Sequence, residues 1–255
     1  MDLMTFLGGL TGLGVIIFVL STGGMLKFLL NWEAIILIFG GTAGSVMIAY
    51  PWASLKWLKS SVKMVIFPPK RPPIHELIRA IVRYAEIGKK SGIDAIAGEL
   101  RTSPHPFLTD ACQMMLDGVD VHILRERMEN DINTTRLRHQ QQTNIFNSAG
   151  TFAPIFGLLG TLIGVVQVLR NIQDPSKMGS SMAIAMTASF YGIFSANFLF
   201  LPIASKLERN ATVEQLVNQI YIMAVASMGR QENPRRLEML LNTMLPAGQQ
   251  IRFFD

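Results

Sequence analysis

Four stretches of the chain contain no Asp, Glu, Lys, Arg or His: Leu3 to Leu26, Ala34 to Leu55, Gln140 to Leu169 and Met178 to Ser205. A bilayer core about 30 Å thick is crossed by roughly 20 apolar helical residues, so each stretch is long enough to span it. Elsewhere the apolar residues recur with a helical period. From Ile74, "IHELIRAIVRYAEIGKK" puts Leu77, Ile78, Ile81, Val82 and Ala85 on one face, and Ser91-Gly92 closes it. "PPKRPP" (68–73) and "SPHPF" (103–107) are breaks that a helix does not cross. "VHILRERMENDINTTRLRHQQQ" reads as a polar helix running into the third span, and "KLERNATVEQLVNQIYIMAVASM" as a helix leaving the fourth. A last helix starts with Asn233 as its cap and Pro234 in its first turn. No segment alternates as a strand does. The pattern predicts an all-α integral membrane protein of four transmembrane helices: a hairpin over 1–50, a helical cytoplasmic domain over 51–143, a second hairpin over 144–205, and C-terminal helices over 206–255.

Charge orients this arrangement. Of the 23 Lys and Arg, all but Lys27, Arg170 and Lys177 lie in 51–148 or 205–255, so by the positive-inside rule those segments and both termini are cytoplasmic. The formal net charge of +5 is thereby accounted for without a nucleic-acid partner. Met1 and Asp2 supply no basic leader region and a second span follows closely, so the first span reads as part of a retained hairpin rather than a signal peptide. Trp52 and Trp57 with Lys56, Lys59 and Lys63 fall at the membrane–water interface, as aromatic belts and snorkelling lysines do.

Candidate chemistry narrows the picture mainly by exclusion. The single cysteine, Cys112, rules out an internal disulfide framework. His75, His105, His122 and His139 lack metal-ligand spacing, so no metal site is assigned. "GGLTGLG" (8–14) contains a glycine pattern, but it lies within a span and follows no strand, so it is not read as a nucleotide fingerprint. With no phosphate loop, catalytic triad or paired carboxylates, the chain is expected to be neither an enzyme nor the holder of a cofactor.

The last two spans carry more information. With the third drawn as a helix at about 100° per residue and Pro154 at 0°, Gly157, Thr161 and Gly164 fall within about 80° of it, and Gly160 lies just outside. In the fourth, Ser181, Ala185, Ala188, Gly192, Ser195 and Ala196 form one small-residue stripe, with Ser189 on its margin and Met186, Phe190, Ile193, Phe194 and Leu201 on the far side. Small residues let helices approach closely in lipid, so tight packing alone accounts for the stripe. It does not account for Pro154, which frees a backbone carbonyl in the membrane, or for the hydroxyl of Thr161. Since no Asp, Glu, Lys, Arg or His lies within any span, Glu33 and Arg170 falling at edges, an ion path here requires a carboxylate from another subunit.

"DLMTFLGGLTGLGVII", "IFGGT", "FAPIFGLLGTLIGVVQVL", "MAIAMTASFYGIFSANFLFLPIASKL" and "QENPRRLEMLLNTML" together resemble the flagellar stator A subunits, the MotA/PomA family, nearly from end to end. The ExbB and TolQ proteins share the proline and glycine features of the last two spans but usually have three spans, so the extra hairpin favours the stator resemblance. The resemblance implies a homo-pentamer in the bacterial cytoplasmic membrane, around two copies of a MotB/PomB-type subunit whose single membrane helix carries the ion-binding Asp. Pro154 and Pro202 would couple ion passage to conformational change. Thr161 would line the path with Ala188 and Ser189, where sodium-driven members tend to carry paired threonines. That departure points to H+ as the translocated ion, with Na+ the alternative. The rotor contact, with FliG, would use Lys89 and Lys90; the acid expected after them falls on Ala97, so Glu99, Glu86 or Asp94 would stand in. Two other readings stay open: an ExbB/TolQ-like energiser of envelope transport, and a passive membrane scaffold.

Overall fold

The structure is a computed structural model and describes residues 3–24, 31–68, 73–92, 94–96 and 106–254. Among these residues every regular element is helical, the main ones being α1 (Leu3–Thr22), α2 (Trp32–Ala49), α3 (Trp52–Leu55), α4 (Leu58–Ile66), α5 (Ile74–Ser91), α6 (Pro106–Leu116), α7 (Val121–Arg170), α8 (Pro175–Gly229) and α9 (Pro234–Asn242). Helices α1, α2, α7 and α8 are each long and apolar enough to cross a membrane, so the expected all-α architecture with four spans is present. Lys27, Ala97, Glu99, His105, all but the ends of "PPKRPP" and most of "SPHPF" lie outside the described residues.

The chain divides into two compact units. One comprises Met1–Pro69 with His139–Arg209, and the other Lys70–Arg138 with Asn210–Asp255. Residues 51–68, which include α3 and α4, therefore pack with the spans.

In the first unit α2, α7 and α8 share one apolar cluster of Ala34, Ile38, Ala153, Ala188 and Ala196. A second cluster joins Val46 of α2 to Ile145 and Ala149 of α7, and the Tyr50 hydroxyl lies 2.8 Å from Ser148 Oγ. In a third, Val65 of α4 packs on Phe146 of α7 and on Ala204 and Leu207 of α8. Helix α1 is the least engaged and buries no residue. Its glycine at position 12 accommodates the Phe198 ring, and Lys206 of α8 hydrogen-bonds to Thr5 Oγ1. The start of α1, the end of α2, the start of the third span and the end of the fourth thus lie at one end of the unit.

Sequence explains how the spanning helices begin. Asn31 accepts from the Ala34 N–H at 3.2 Å, capping α2. Asp174 accepts from the Ser176 and Lys177 N–H groups ahead of α8, with Pro175 in the first turn. The hydrogen bonds from Ser176 and Lys177 hold the Asp174 carboxyl below the usual carboxylate range.

The second unit is built on the faces that the helical period selects. Leu77, Ile78, Ile81, Val82 and Ala85 of α5 meet Leu108, Ala111, Cys112 and Met115 of α6, Leu124 and Met128 of α7, Ile220, Ala224 and Val225 of α8, and Leu237 and Leu241 of α9. Helix α5 ends at Ser91, where Gly92 takes φ 85°, a conformation glycine adopts without strain. The C-terminal segment is tied down by the paired bonds between the Asn242 amide and the Ile251 backbone, and by Phe253 N–H donating to Glu238 Oε1 at 2.6 Å.

Candidate functional site in the third and fourth spans

Helices α7 and α8 touch backbone to backbone. A Cβ placed on Gly192 would lie 2.7 Å from the Ala153 carbonyl oxygen and 3.0 Å from Gly157 Cα. One on Gly157 would lie 3.2 Å from the Ala188 carbonyl oxygen, and those on Gly160 and Gly164 would strike the methyls of Ala188 and Ala185. The two small-residue faces are therefore turned toward each other within one chain. Ser181, Ala185, Ala188, Gly192, Ser195 and Ala196 are all buried in this seam, as are Gly157, Gly160 and Gly164. Close approach of this kind is what membrane helices gain from small residues.

Pro154 and Thr161 stand at the edge of the seam, both half-buried, and Ser189 is half-buried on the facing helix. The polar groups are turned inward on their own helices. Thr161 Oγ1 donates to the Leu158 carbonyl at 2.6 Å, Ser181 to the Lys177 carbonyl at 3.0 Å and Ser195 to the Gly192 carbonyl at 3.2 Å. Such bonds to the preceding turn let a hydroxyl sit in hydrocarbon at small cost.

The helix segments around the two prolines touch at Gly150 and Leu201. Pro154 has no N–H to offer the Gly150 carbonyl. A Cβ on Gly150 would lie 2.7 Å from the Leu201 side chain, one residue before Pro202. Helix α8 widens to π geometry over Ser195–Phe200 just ahead of this point, and Leu201 N–H reaches back to the Ala196 carbonyl. Pro202 itself is exposed and likewise leaves the Phe198 carbonyl without its usual donor. A second wide turn, Ile36–Gly40 of α2, lies opposite, with Ile38 and Ala196 in the same buried cluster. Neither wide turn is visible in a uniform helical period. π-turns inside helices mark places where a helix carries an extra residue, often at functional sites.

The profile of the MotA/TolQ/ExbB proton channel family matches residues 99–220. Motility protein A of Aquifex aeolicus is 31% identical over 252 residues, covering 96% of this chain and 97% of its own. The chain belongs to the MotA/TolQ/ExbB proton channel family. The chemotaxis protein PomA of Vibrio alginolyticus is 30% identical and aligned over the full length of both chains. Among solved structures, a chain of the flagellar MotAB stator complex from Bacillus subtilis superposes with a TM-score of 0.83 at 28% identity, covering 95% of this chain and 98% of that one.

For this proton channel family member the remaining site residues fall as follows. Lys89 and Lys90 are exposed in the last turn of α5, where cations suit the helix terminus. Lys90 Nζ lies 2.7 Å from Glu86 Oε1. Asp94 is exposed nearby in sequence. Periodicity passed over two buried hydroxyls of the spans. Thr187 donates to the Ala183 and Ile184 carbonyls, at 2.8 and 3.0 Å, and Thr42 Oγ1 is buried with no hydrogen-bond partner. Both were signalled only as mid-span threonines, the same signal that singled out Thr161.

Proposed function

We propose that this chain is the A-type subunit of a flagellar stator, which with a MotB/PomB-type subunit conducts ions across the bacterial cytoplasmic membrane and converts the flux into rotor torque. The observation that carries the reading is the α7–α8 seam. Two spans are locked together through glycine, Gly150 four residues before Pro154 meets Leu201 next to Pro202, and no Asp, Glu, Lys, Arg or His lies within a membrane segment except at its edges. A path through such a surface needs a carboxylate from outside the chain, and the partner's intramembrane Asp supplies it. Five copies of the chain surround two copies of the B subunit. Pro154 and Pro202 are the points at which the helices change shape, Thr161 and Ser189 are the polar groups of the wall, and Ala188 closes the seam behind them. The cargo is H+ rather than Na+, because Ala188 offers no oxygen and the two hydroxyls are few for a sodium ion.

Both termini lie in the cytoplasm, with the 51–143 and 206–255 segments. The meeting of four helix ends through Thr5 and Lys206, Tyr50 and Ser148, and the α4 cluster supports this, because those ends adjoin the basic segments. Lys89 and Lys90 face the rotor protein FliG, with Glu99 as their acidic counterpart. The profile match alone suits an ExbB/TolQ-like energiser equally well, since it omits the first hairpin. End-to-end alignment with motility proteins favours the stator.

The test pairs stability with motility. Pro154→Ala restores a helical N–H and removes an interior proline, so the variant is expected to be at least as stable as the parent. Cells carrying it as their only A subunit should accumulate it in the membrane and yet swim at a small fraction of parental speed. Undiminished swimming rules out Pro154 as the coupling point. For the parent, swimming speed should collapse with a protonophore and be indifferent to sodium; the reverse dependence assigns Na+.

A further inference from the structure

The segment between the second span and the "PPKRPP" break plays no part in the proposed ion path, yet its charge is of one sign only. From Ala34 to Pro73 there is no Asp or Glu, while Lys56, Lys59, Lys63, Lys70 and Arg71 all fall there. Lys56 and Trp57 between α3 and α4 keep right-handed helical backbone angles, so Trp52 to Ile66 follows a nearly continuous helical path. At about 100° per residue, Trp52, Lys56, Lys59, Lys63, Ile66 and Phe67 fall within one face roughly 100° wide. Leu58, Ser61, Val62 and Val65 occupy the other.

The structure keeps these faces apart. Ser61 and Val65 are buried, and Val65, Leu58 and Val62 pack on the third-span entry and fourth-span exit. On the other face Trp52 is 74% and Phe67 57% exposed, and all three lysines are exposed. Lys56 Nζ stands 5.5 Å from the Trp57 ring centre, an amphipathic pair of ammonium and indole. Apolar and cationic groups on one exposed face, directly following a membrane span and resting on the ends of two others, match one environment: the boundary between acyl chains and headgroups. An uncompensated row of lysines at that depth attracts acidic headgroups, each contributing on its own.

We propose that the α3–α4 face is a binding surface for anionic phospholipid, with Lys56, Lys59 and Lys63 on the headgroup phosphates and Trp52, Ile66 and Phe67 in the upper acyl region. Bound lipid holds α4 against Phe146, Ala204 and Leu207, the shoulders of the two spans that carry Pro154 and Pro202.

Tryptophan fluorescence tests this on the full chain. Trp32, at the start of α2, and Trp57, which lies off this face, are replaced by Phe, so that emission comes from Trp52. The protein is placed in phosphatidylcholine bilayers containing equal fractions of either brominated phosphatidylglycerol or brominated phosphatidylcholine. Brominated phosphatidylglycerol should quench more strongly, corresponding to a local preference of roughly fivefold or more, which is the factor a single lysine's attraction yields. High salt should reduce the preference, Lys→Gln at the three positions should abolish it, and Lys→Arg at the same positions should retain it. Equal quenching by both lipids overturns the proposal, as does a preference surviving in the Gln variant. Weak quenching by both overturns it too, and assigns the face to a protein partner.

Discussion

Gly192 shows how little room the α7–α8 seam leaves. A Cβ there would crowd the Ala153 carbonyl oxygen and the Gly157 Cα, both backbone atoms that cannot swing aside as a side-chain tip can. Gly192→Ala therefore forces the helices apart. Overpacking of this kind costs about 1–3 kcal/mol, and a chain of this length loses about 2–4 °C of thermal midpoint per kcal/mol. A fall of several degrees in the midpoint of the detergent-solubilised protein is expected, with a matching loss of function. Gly8→Ala on α1, where the added methyl meets nothing within 4 Å, should leave the midpoint unchanged. An unaltered midpoint for Gly192→Ala contradicts the closeness of the seam. This seam was legible in the sequence because a helical projection needs only residue sizes. What the projection could not separate was its own wedge. Gly157 and Gly164 turn fully into α8, while Pro154 and Thr161, a few tens of degrees away, reach only its edge.

At the scale of the helix, the informative features are those that a uniform period hides. The period places spans and amphipathic faces correctly because burial imposes it on the sequence. A π-turn adds one residue without changing the composition of the stretch, so nothing in "SANFLF" or "ILIFG" announces it. Pro202 is the one nearby clue. Its ring would press on the carbonyl four residues back in a regular α-helix, and the wide turn immediately before it takes up that conflict. The two features should therefore be interdependent. Deleting the exposed Asn197 returns the segment to α geometry and brings the Pro202 ring onto the helix backbone, so the deletion alone should lower membrane accumulation and thermal midpoint. In a Pro202→Ala background the same deletion should be tolerated, because an alanine N–H can close the regular turn. Equal harm from the deletion in both backgrounds means that the wide turn exists for some reason other than the proline.

For the whole molecule the decisive property is its proposed sidedness, which rests on the distribution of lysine and arginine and is supported by the clustered helix ends. Placement of a single reporter cysteine tests it, and the protein offers a quiet background. Cys112 is buried in the second unit, and burial pushes its thiol up to about 12, so it carries almost no thiolate at the pH of maleimide labelling. Because the folded thiol titrates above an unfolded one, its neutral form favours the folded chain below the ordinary thiol range. That contribution is lost as pH rises toward the folded value. The parent protein should accordingly remain unlabelled in intact cells and in permeabilised cells near neutral pH, and become labelled only on denaturation. Against this background, Gln173→Cys, between α7 and α8, should react with a membrane-impermeant maleimide added to spheroplasts. Gln249→Cys, in the C-terminal segment, should react only after permeabilisation. Ser60→Cys, on the exposed side of α4, should follow Gln249→Cys, because α4 joins the end of the unit where the basic segments meet. Labelling of Gln249→Cys from outside reverses the topology. It would also move Lys89 and Lys90 away from the rotor, and the torque-generating half of the proposed function could not survive it.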